Sequence, residues 1–569
     1  MFHQVNITLC IFFYPVQLSS RPLAAMHHAL LIQELIEIVF QHVEDGRALS
    51  RLARTFTRVM TPRDWEILYS YTRRVKKVVV YAWDTDESTT ILHSRVYRAL
   101  SDCPLSNLFP KLHTIRVEGD TTGYNRHYRY LMTQGLLLSP NLRAIHVDIM
   151  MLNRFLSDVP LITELCPNVE SFSCRNYDNQ QRPPRNGEPD LLTRTLCQWE
   201  CIRSVDCGTV SAEILSHMVK SPSPSLDHLS VPVNTEEPWL AGHYGIHEIK
   251  QLSLIVDGID TFPRALRALL LNGNSTTQSS SLSESQAAHL HTLDVLFDQH
   301  MRPCAIEPPP RPPFLIFKSL AECVSHACLT SIKLSESKSS VIKLPINSRF
   351  DKDALSPLCA FSMLTELIID LNRHPIVLED FDGNGESDAR DGGSDEALAA
   401  LVSYWPRLEQ LKLKKLQRPA SLAGLFAVLT SCPRLTYLNM RICVDPRQVN
   451  IAAESMSGAN SAGPTKGSAF TPLPRNPCIT WLDLTHTSER LQDIKPLARV
   501  LYHVVPSLCS CGRSDSFVSL DPKFKDSNIS GRRISMAASV AGWLPAWSQA
   551  DFRGNTSAKW NKKILDRRT

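Results

Sequence analysis

Residues 408–440 read LEQLKLKKLQRPASLAGLFAVLTSCPRLTYLNM, a stretch that holds one complete structural unit and the start of the next. It begins with Leu408, Leu411 and Leu413 in the pattern L-x-x-L-x-L, and 27 residues later the pattern returns as Leu435, Leu438 and Met440. The last two positions alternate as a short strand does, one side chain in and the next out. Between the two triplets, Leu422, Leu425, Phe426 and Leu429 fall at i, i+3, i+4 and i+7, the spacing of one apolar helix face. Cys432–Pro433 then stops the helix, because proline lacks the N–H the next turn needs and disfavours helix in the residue before it. Strand, helix and stop within about 27 residues make one α/β unit of the length that stacks into a solenoid.

Working outward, the triplet recurs at Leu112/Ile115/Val117, Leu142/Ile145/Val147, Val169/Phe172/Cys174, Ile202/Val205/Cys207, Leu226/Leu229/Val231 and Ile249/Leu252/Leu254. It continues at Leu290/Leu293/Val295, Leu329/Ile332/Leu334, Leu364/Leu367/Ile369 and Ile479/Leu482/Leu484, with Pro506–Leu508 as a degraded last copy. Long steps carry inserts of loop composition near 272–289, 303–313, 380–396 and 453–470, and removing each restores a compact repeat. The expected architecture is α/β: a solenoid over 105–508 with a parallel sheet on its concave face. The inserts, and a basic tail over 509–569, are expected to be disordered.

Composition bounds the function. The chain has 569 residues, 61 basic and 57 acidic, for a formal charge of +4. That is far from the basic footprint of a nucleic-acid protein, so no nucleic-acid partner is expected. Forty-three per cent hydrophobic residues and a mean hydropathy of −0.14 suit a folded chain. Sixteen cysteines include no C-x-x-C, so a zinc RING is excluded; the thiols read as reduced, in the cytoplasm or nucleus. The apolar NITLCIFFYP at 6–15 is cut by Pro15 well short of the ~20 residues of a membrane span. Residues 1–25 are therefore read as a leader, disordered or lying upstream of a true start at Met26, and no membrane partner is expected.

Residues 27–71 differ in kind. LLIQELIEIVFQHV, ALSRLARTFTRVM and a turn of helix after Pro62 carry apolar faces that about forty residues cannot bury alone. This stretch resembles the F-box, a motif of the form L-P-x-E-L-L-x-x-I-F-x-x-L followed by a Leu-rich helix and a later Trp. Leu31, Glu34, Leu35, Ile36, Val39, Phe40 and Val43 match its first part, and Leu49, Leu52 and Trp65 its later part. Ile32 stands where the motif usually has Pro, and Phe56 where it often has Cys. With the repeats, the chain resembles the fungal F-box proteins with leucine-rich repeats. The resemblance implies a non-catalytic subunit of a cullin–RING (SCF-type) ubiquitin ligase. Leu31, Glu34, Leu35, Val39, Phe40, Val43, Leu49, Leu52 and Trp65 would bind a Skp-type adaptor, and through it a cullin, while the repeats hold a target protein. The other reading of the same residues is a repeat scaffold whose N-terminal helices are only a cap.

No catalytic residue, metal site or cofactor is expected. Asp380, Asp382, Asn384, Gly385, Asp388 and Asp391 have calcium-loop spacing, but Ser387 and Asp391 replace the apolar anchor and the final Glu, and Pro375 interrupts the entering helix. Gly458 and Gly463 lack the lysine of a phosphate loop. EPPPRPPF reads as a stiff loop. Of the positions pointing out of the sheet, Lys412, Lys414 and Arg441 cluster on adjacent strands, with Lys415 and Arg418 nearby. They are the candidate contact for an acidic segment of the target, and the chain's own acidic stretch Asp380–Glu396 is the rival occupant.

Overall fold

The structure is a computed structural model, and it describes residues 61–81, 107–118, 138–148, 159–175, 188–208, 210–220, 226–271, 287–298, 314–337, 350–371, 375–378, 393–443, 445–458, 473–486, 495–507 and 510–511. The chain divides into two compact units: the first runs to Ile255 with 268–279 and 300–303, and the second takes the remainder.

The first unit contains β1 (Lys77–Tyr81), β2 (Thr114–Glu118), β3 (Ala144–Asp148), β4 (Ser171–Arg175), β5 (Ser204–Cys207), β6 (His228–Val233) and β7 (Gln251–Val256, up to Ile255). The second contains β8 (Thr292–Phe297), β9 (Ser331–Glu336), β10 (Glu366–Asp370), β11 (Gln410–Leu413), β12 (Tyr437–Ile442), β13 (Trp481–His486) and β14 (Ser510–Cys511). Within each unit the strands follow chain order in the sheet. Their pairing is parallel, and the register matches the triplets: Ile115 faces Ile145, Phe172 faces Val205, Leu367 faces Leu411 and Leu411 faces Leu438. A parallel ladder needs a crossover after each strand. The helices supply it where the 3.6-residue spacing predicts them: Thr261–Leu270, Gly393–Ser403, Leu422–Ser431 and Lys495–Val504.

The core lies between strands and crossovers. The first and middle residues of all twelve triplets are buried, Leu112, Ile115, Leu408 and Leu411 completely. Each fully buried Leu contributes about 1.5–3 kcal/mol relative to exposure.

A second ladder stitches successive turns together three residues before five of the triplets. The Ser139 hydroxyl donates to the Pro110 carbonyl (3.4 Å), Trp199 Nε1 to Cys166 O (3.0 Å), Cys432 Sγ to Trp405 O (3.6 Å) and Asn476 Nδ2 to Cys432 O (3.0 Å). Trp405 Nε1 donates to Leu358 O at 3.1 Å in the same way. These donors satisfy carbonyls at the buried ends of the crossovers, which would otherwise cost a desolvated acceptor apiece. Burial pushes the Cys166 thiol up to about 11 and Cys432 up to about 12, so Cys432 keeps the proton its ladder bond uses.

Several boundaries differ from expectation. The ladder starts at β1, not at 105, and the signal was present as Val75, Val78 and Val80, a triplet in valine; Val75 and Val78 are buried. It ends at β14, where Cys511 faces Leu482, inside the stretch assigned to the tail. Helix Gly393–Ser403 begins within the acidic insert, since Asp395 and Glu396 suit the positive end of a helix. Helix Pro446–Gly458 takes the first residues of the 453–470 insert, because Pro446 opens it, Asp445 Oδ1 caps the Arg447 N–H at 2.9 Å, and Val449 and Ala452 reach the core. Ala288, assigned to the 272–289 insert, bridges Val324. Apart from Ala287 and His289, the rest of the inserts, the 1–25 leader, residues 27–60 and the tail after 511 lie outside the described residues.

Candidate functional site

In a strand with buried middle and third triplet positions, the residues between and beside them stand on the opposite face. In the second unit that face carries Ser331, Lys333 and Ser335 on β9, Glu366, Ile368 and Asp370 on β10, Gln410 and Lys412 on β11, and Tyr437, Asn439 and Arg441 on β12. Lys412 pairs in register with Ile368 on one side and Asn439 on the other, and Arg441 pairs with Thr485. Lys414 lies one residue past the end of β11. The three cations chosen from sequence are thus brought to one face.

They are not equally available. Lys412 Nζ lies 2.6 Å from Asp370 Oδ2 and Lys414 Nζ 3.4 Å from Asp370 Oδ1, and these side chains are only 24%, 21% and 17% exposed. Asp370 Oδ1 has no well-aligned hydrogen bond, so its attraction to Lys414 is chiefly Coulombic. Burial alone would raise the Asp370 pKa, but the Lys412 hydrogen bond and the charge of both lysines outweigh it and hold the carboxyl below its usual value. One strand away the Lys333 ammonium pairs with Glu366 at 3.0 Å, and Ser331 donates to the other Glu366 oxygen at 2.7 Å. The patch is therefore partly satisfied by its own sheet: Lys412, Lys414 and Arg441 against Asp370 leave +2, and Asp483, at the register position beside Asn439, lowers the sum to +1. Among the described residues Arg441 forms no ion pair.

The rival occupant is reduced as well. Residues 380–392 lie outside the described residues, and Asp395 is committed elsewhere. Its carboxylate accepts the Ser421 N–H at 2.9 Å and the Ser421 hydroxyl, and Ser421 caps helix Leu422–Ser431. Residues 375–378, where a calcium loop would need its entering helix, are extended, with Ile376 bridging Phe350 and Leu416.

Two residues on this face were missed in the sequence. Tyr437 and Trp481 face each other in register and stack, ring centroids 6.2 Å apart at 20°. Trp481 is 38% exposed, although it sits on a strand. Both occupy the position just before the middle apolar residue, which the same alternation turns outward, so the pattern contained them.

Of the candidate adaptor contacts, Trp65 lies on helix Pro62–Thr72 and is 6% exposed, which leaves it little surface for a partner. Leu31, Glu34, Leu35, Val39, Phe40, Val43, Leu49 and Leu52 lie outside the described residues. Among the described residues no group of three or more His, Cys, Asp or Glu is placed to hold a metal ion, and no helix is long and apolar enough to cross a membrane.

No family model matches the chain. No curated protein matches it either. Among solved structures, the chain is similar to one described as the crystal structure of the Rad7 and Elc1 complex in yeast, at 9% identity, over 62% of this chain and 73% of that one, with a TM-score of 0.28. Agreement at that level carries no argument about this chain.

Proposed function

We propose that the chain is a substrate-recognition adaptor of a cullin–RING ubiquitin ligase. Its N-terminal module would bind a Skp-type adaptor and thereby a cullin, and the open sheet face of its repeats would bind the target. The observation that carries the binding half is the β9–β13 face, where cations stand beside the stacked Tyr437 and the exposed Trp481 on one side of the sheet. The ligase half rests on Leu31, Glu34, Leu35, Val39, Phe40, Val43, Leu49, Leu52 and Trp65, the residues that resemble the F-box. Such a protein needs no nucleophile: holding a target beside a separately recruited conjugating enzyme raises the effective concentration of its lysines. The site of action would be the cytoplasm or the nucleus.

A second reading has an observation of its own. Helix Pro62–Thr72 runs by a short turn into β1, and Trp65 and Thr72 are buried within that unit, as in a plain cap on a repeat scaffold. An affinity-tagged full chain separates the two. Under the ligase reading it recovers the Skp-type adaptor and a cullin from cells. Recovery of neither, by a chain that is folded and soluble, leaves the scaffold reading.

A further inference from the structure

We infer that the β11–β13 face selects an extended peptide with one large apolar or aromatic anchor and carboxylates two and four residues from it. This rests on the target-binding reading above and names the chemistry that reading leaves open.

The anchor site is the Tyr437–Trp481 stack. A tryptophan 38% exposed on a sheet face, already ordered against a second ring and rimmed by polar residues, offers apolar area at little further entropic cost. The charge sites are fixed by the same strand. Tyr437, Asn439 and Arg441 stand on one side of β12, at steps of roughly 6.6 Å. Lys412 lies beside Asn439 on the neighbouring strand, about 4.8 Å away, and the chain passes to Lys414 directly after Leu413, the partner of Met440. An extended peptide repeats its own side chains with the same period of two residues. With its anchor on the stack, its second neighbour comes over Lys412 and its fourth over Arg441 and Lys414. The two periods match whichever way the peptide runs.

The charges favour a peptide over a polyanion. Asp370 and Glu366 stand among the cations and already hold Lys412, Lys414 and Lys333. A phosphate backbone, charged at every step, would meet those carboxylates, whereas carboxylates at two set positions avoid them. Arg441, with no ion pair among the described residues, is the cation a ligand would engage first.

The test pans a displayed library of random 12-residue peptides over the immobilised full-length chain and measures a 12-nucleotide oligo-dT in parallel by fluorescence anisotropy. The expected result is enrichment of an aromatic or large aliphatic residue with Asp or Glu at distances two and four. A synthetic consensus peptide should lose about tenfold or more in affinity to Trp481→Ala and to Arg441→Glu, and keep most of it with Trp481→Phe. Replacing the peptide's anchor with Ala should weaken binding to the wild type and add nothing further against Trp481→Ala. Circular dichroism and the melting temperature establish that each variant is folded. Four outcomes each overturn the inference: no enrichment, enrichment without that spacing, full affinity in folded Trp481→Ala, or tighter binding of oligo-dT than of peptide. Adaptor capture is measured on the same preparations. Loss of the peptide with adaptor capture intact rejects this inference alone, and the reverse rejects the ligase attachment alone.

Discussion

The Asp370 carboxylate on β10 holds two lysines at once, Lys412 on β11 at 2.6 Å and Lys414 just beyond it at 3.4 Å. It acts as an internal competitor for any acidic ligand. Asp370→Asn should raise affinity for the acidic peptide several-fold at low salt, and the gain should shrink at 0.5 M salt as screening shortens the reach of the freed charges. The same change should cost stability of roughly 1–2 kcal/mol, between the values for exposed and buried pairs.

Acidification tests the same contact with a definite sign. The folded-state pKa of Asp370 is held below its ordinary value, so its contribution is present above about pH 4 and is lost as pH falls through the lower folded value. Urea denaturation from pH 6 to pH 2.5 should show a stability gap between wild type and Asp370→Asn that is constant at the upper end and closes at the lower. A gap that widens on acidification would contradict the assignment.

The second ladder predicts where single substitutions hurt most. Asn476 is fully buried, donates to Cys432 O and accepts the Cys478 N–H at 3.0 Å. Asn476→Ala should cost about 2–3 kcal/mol in chemical denaturation, two hydrogen bonds together with an orphaned buried carbonyl. Trp405→Phe keeps most of the ring and loses only the bond to Leu358 O, so it should cost less.

Gly424 illustrates a close approach between two crossovers. A Cβ there would run into the Asp395 carboxylate that holds Ser421. Gly424→Ala, which in an open helix would stabilise by about 1 kcal/mol, should here destabilise. In the Asp395→Ala background the penalty should vanish or reverse, and a double-mutant cycle in urea measures the coupling.

Much of this was legible in the sequence because a parallel solenoid repeats one local rule. The triplets of L-x-x-L-x-L carried strand and face together, and the first and middle positions of all twelve are buried. The first strand escaped because it is written in valine, Val75, Val78 and Val80, rather than leucine. Insert boundaries were drawn on composition, which cannot see that Asp395 opens a helix or that Asp445 caps one. At the site, the alternation put Lys412 and Arg441 at outward register positions of adjacent strands, with Lys414 just past the end of β11. It could not show that Asp370, itself in an outward column, satisfies two of them, because that depends on side-chain reach across strands. Tyr437 and Trp481 were within the same rule and were passed over because only the two later outward positions were read.

Attachment to a ubiquitin ligase is measured by calorimetric titration of the purified full chain with a purified Skp-type adaptor. The expected result is a one-to-one complex that is abolished by Leu35→Asp/Phe40→Asp and untouched by Trp481→Ala or Arg441→Glu. A folded wild-type chain that takes up no adaptor, or a double variant that binds it undiminished, would contradict the claim.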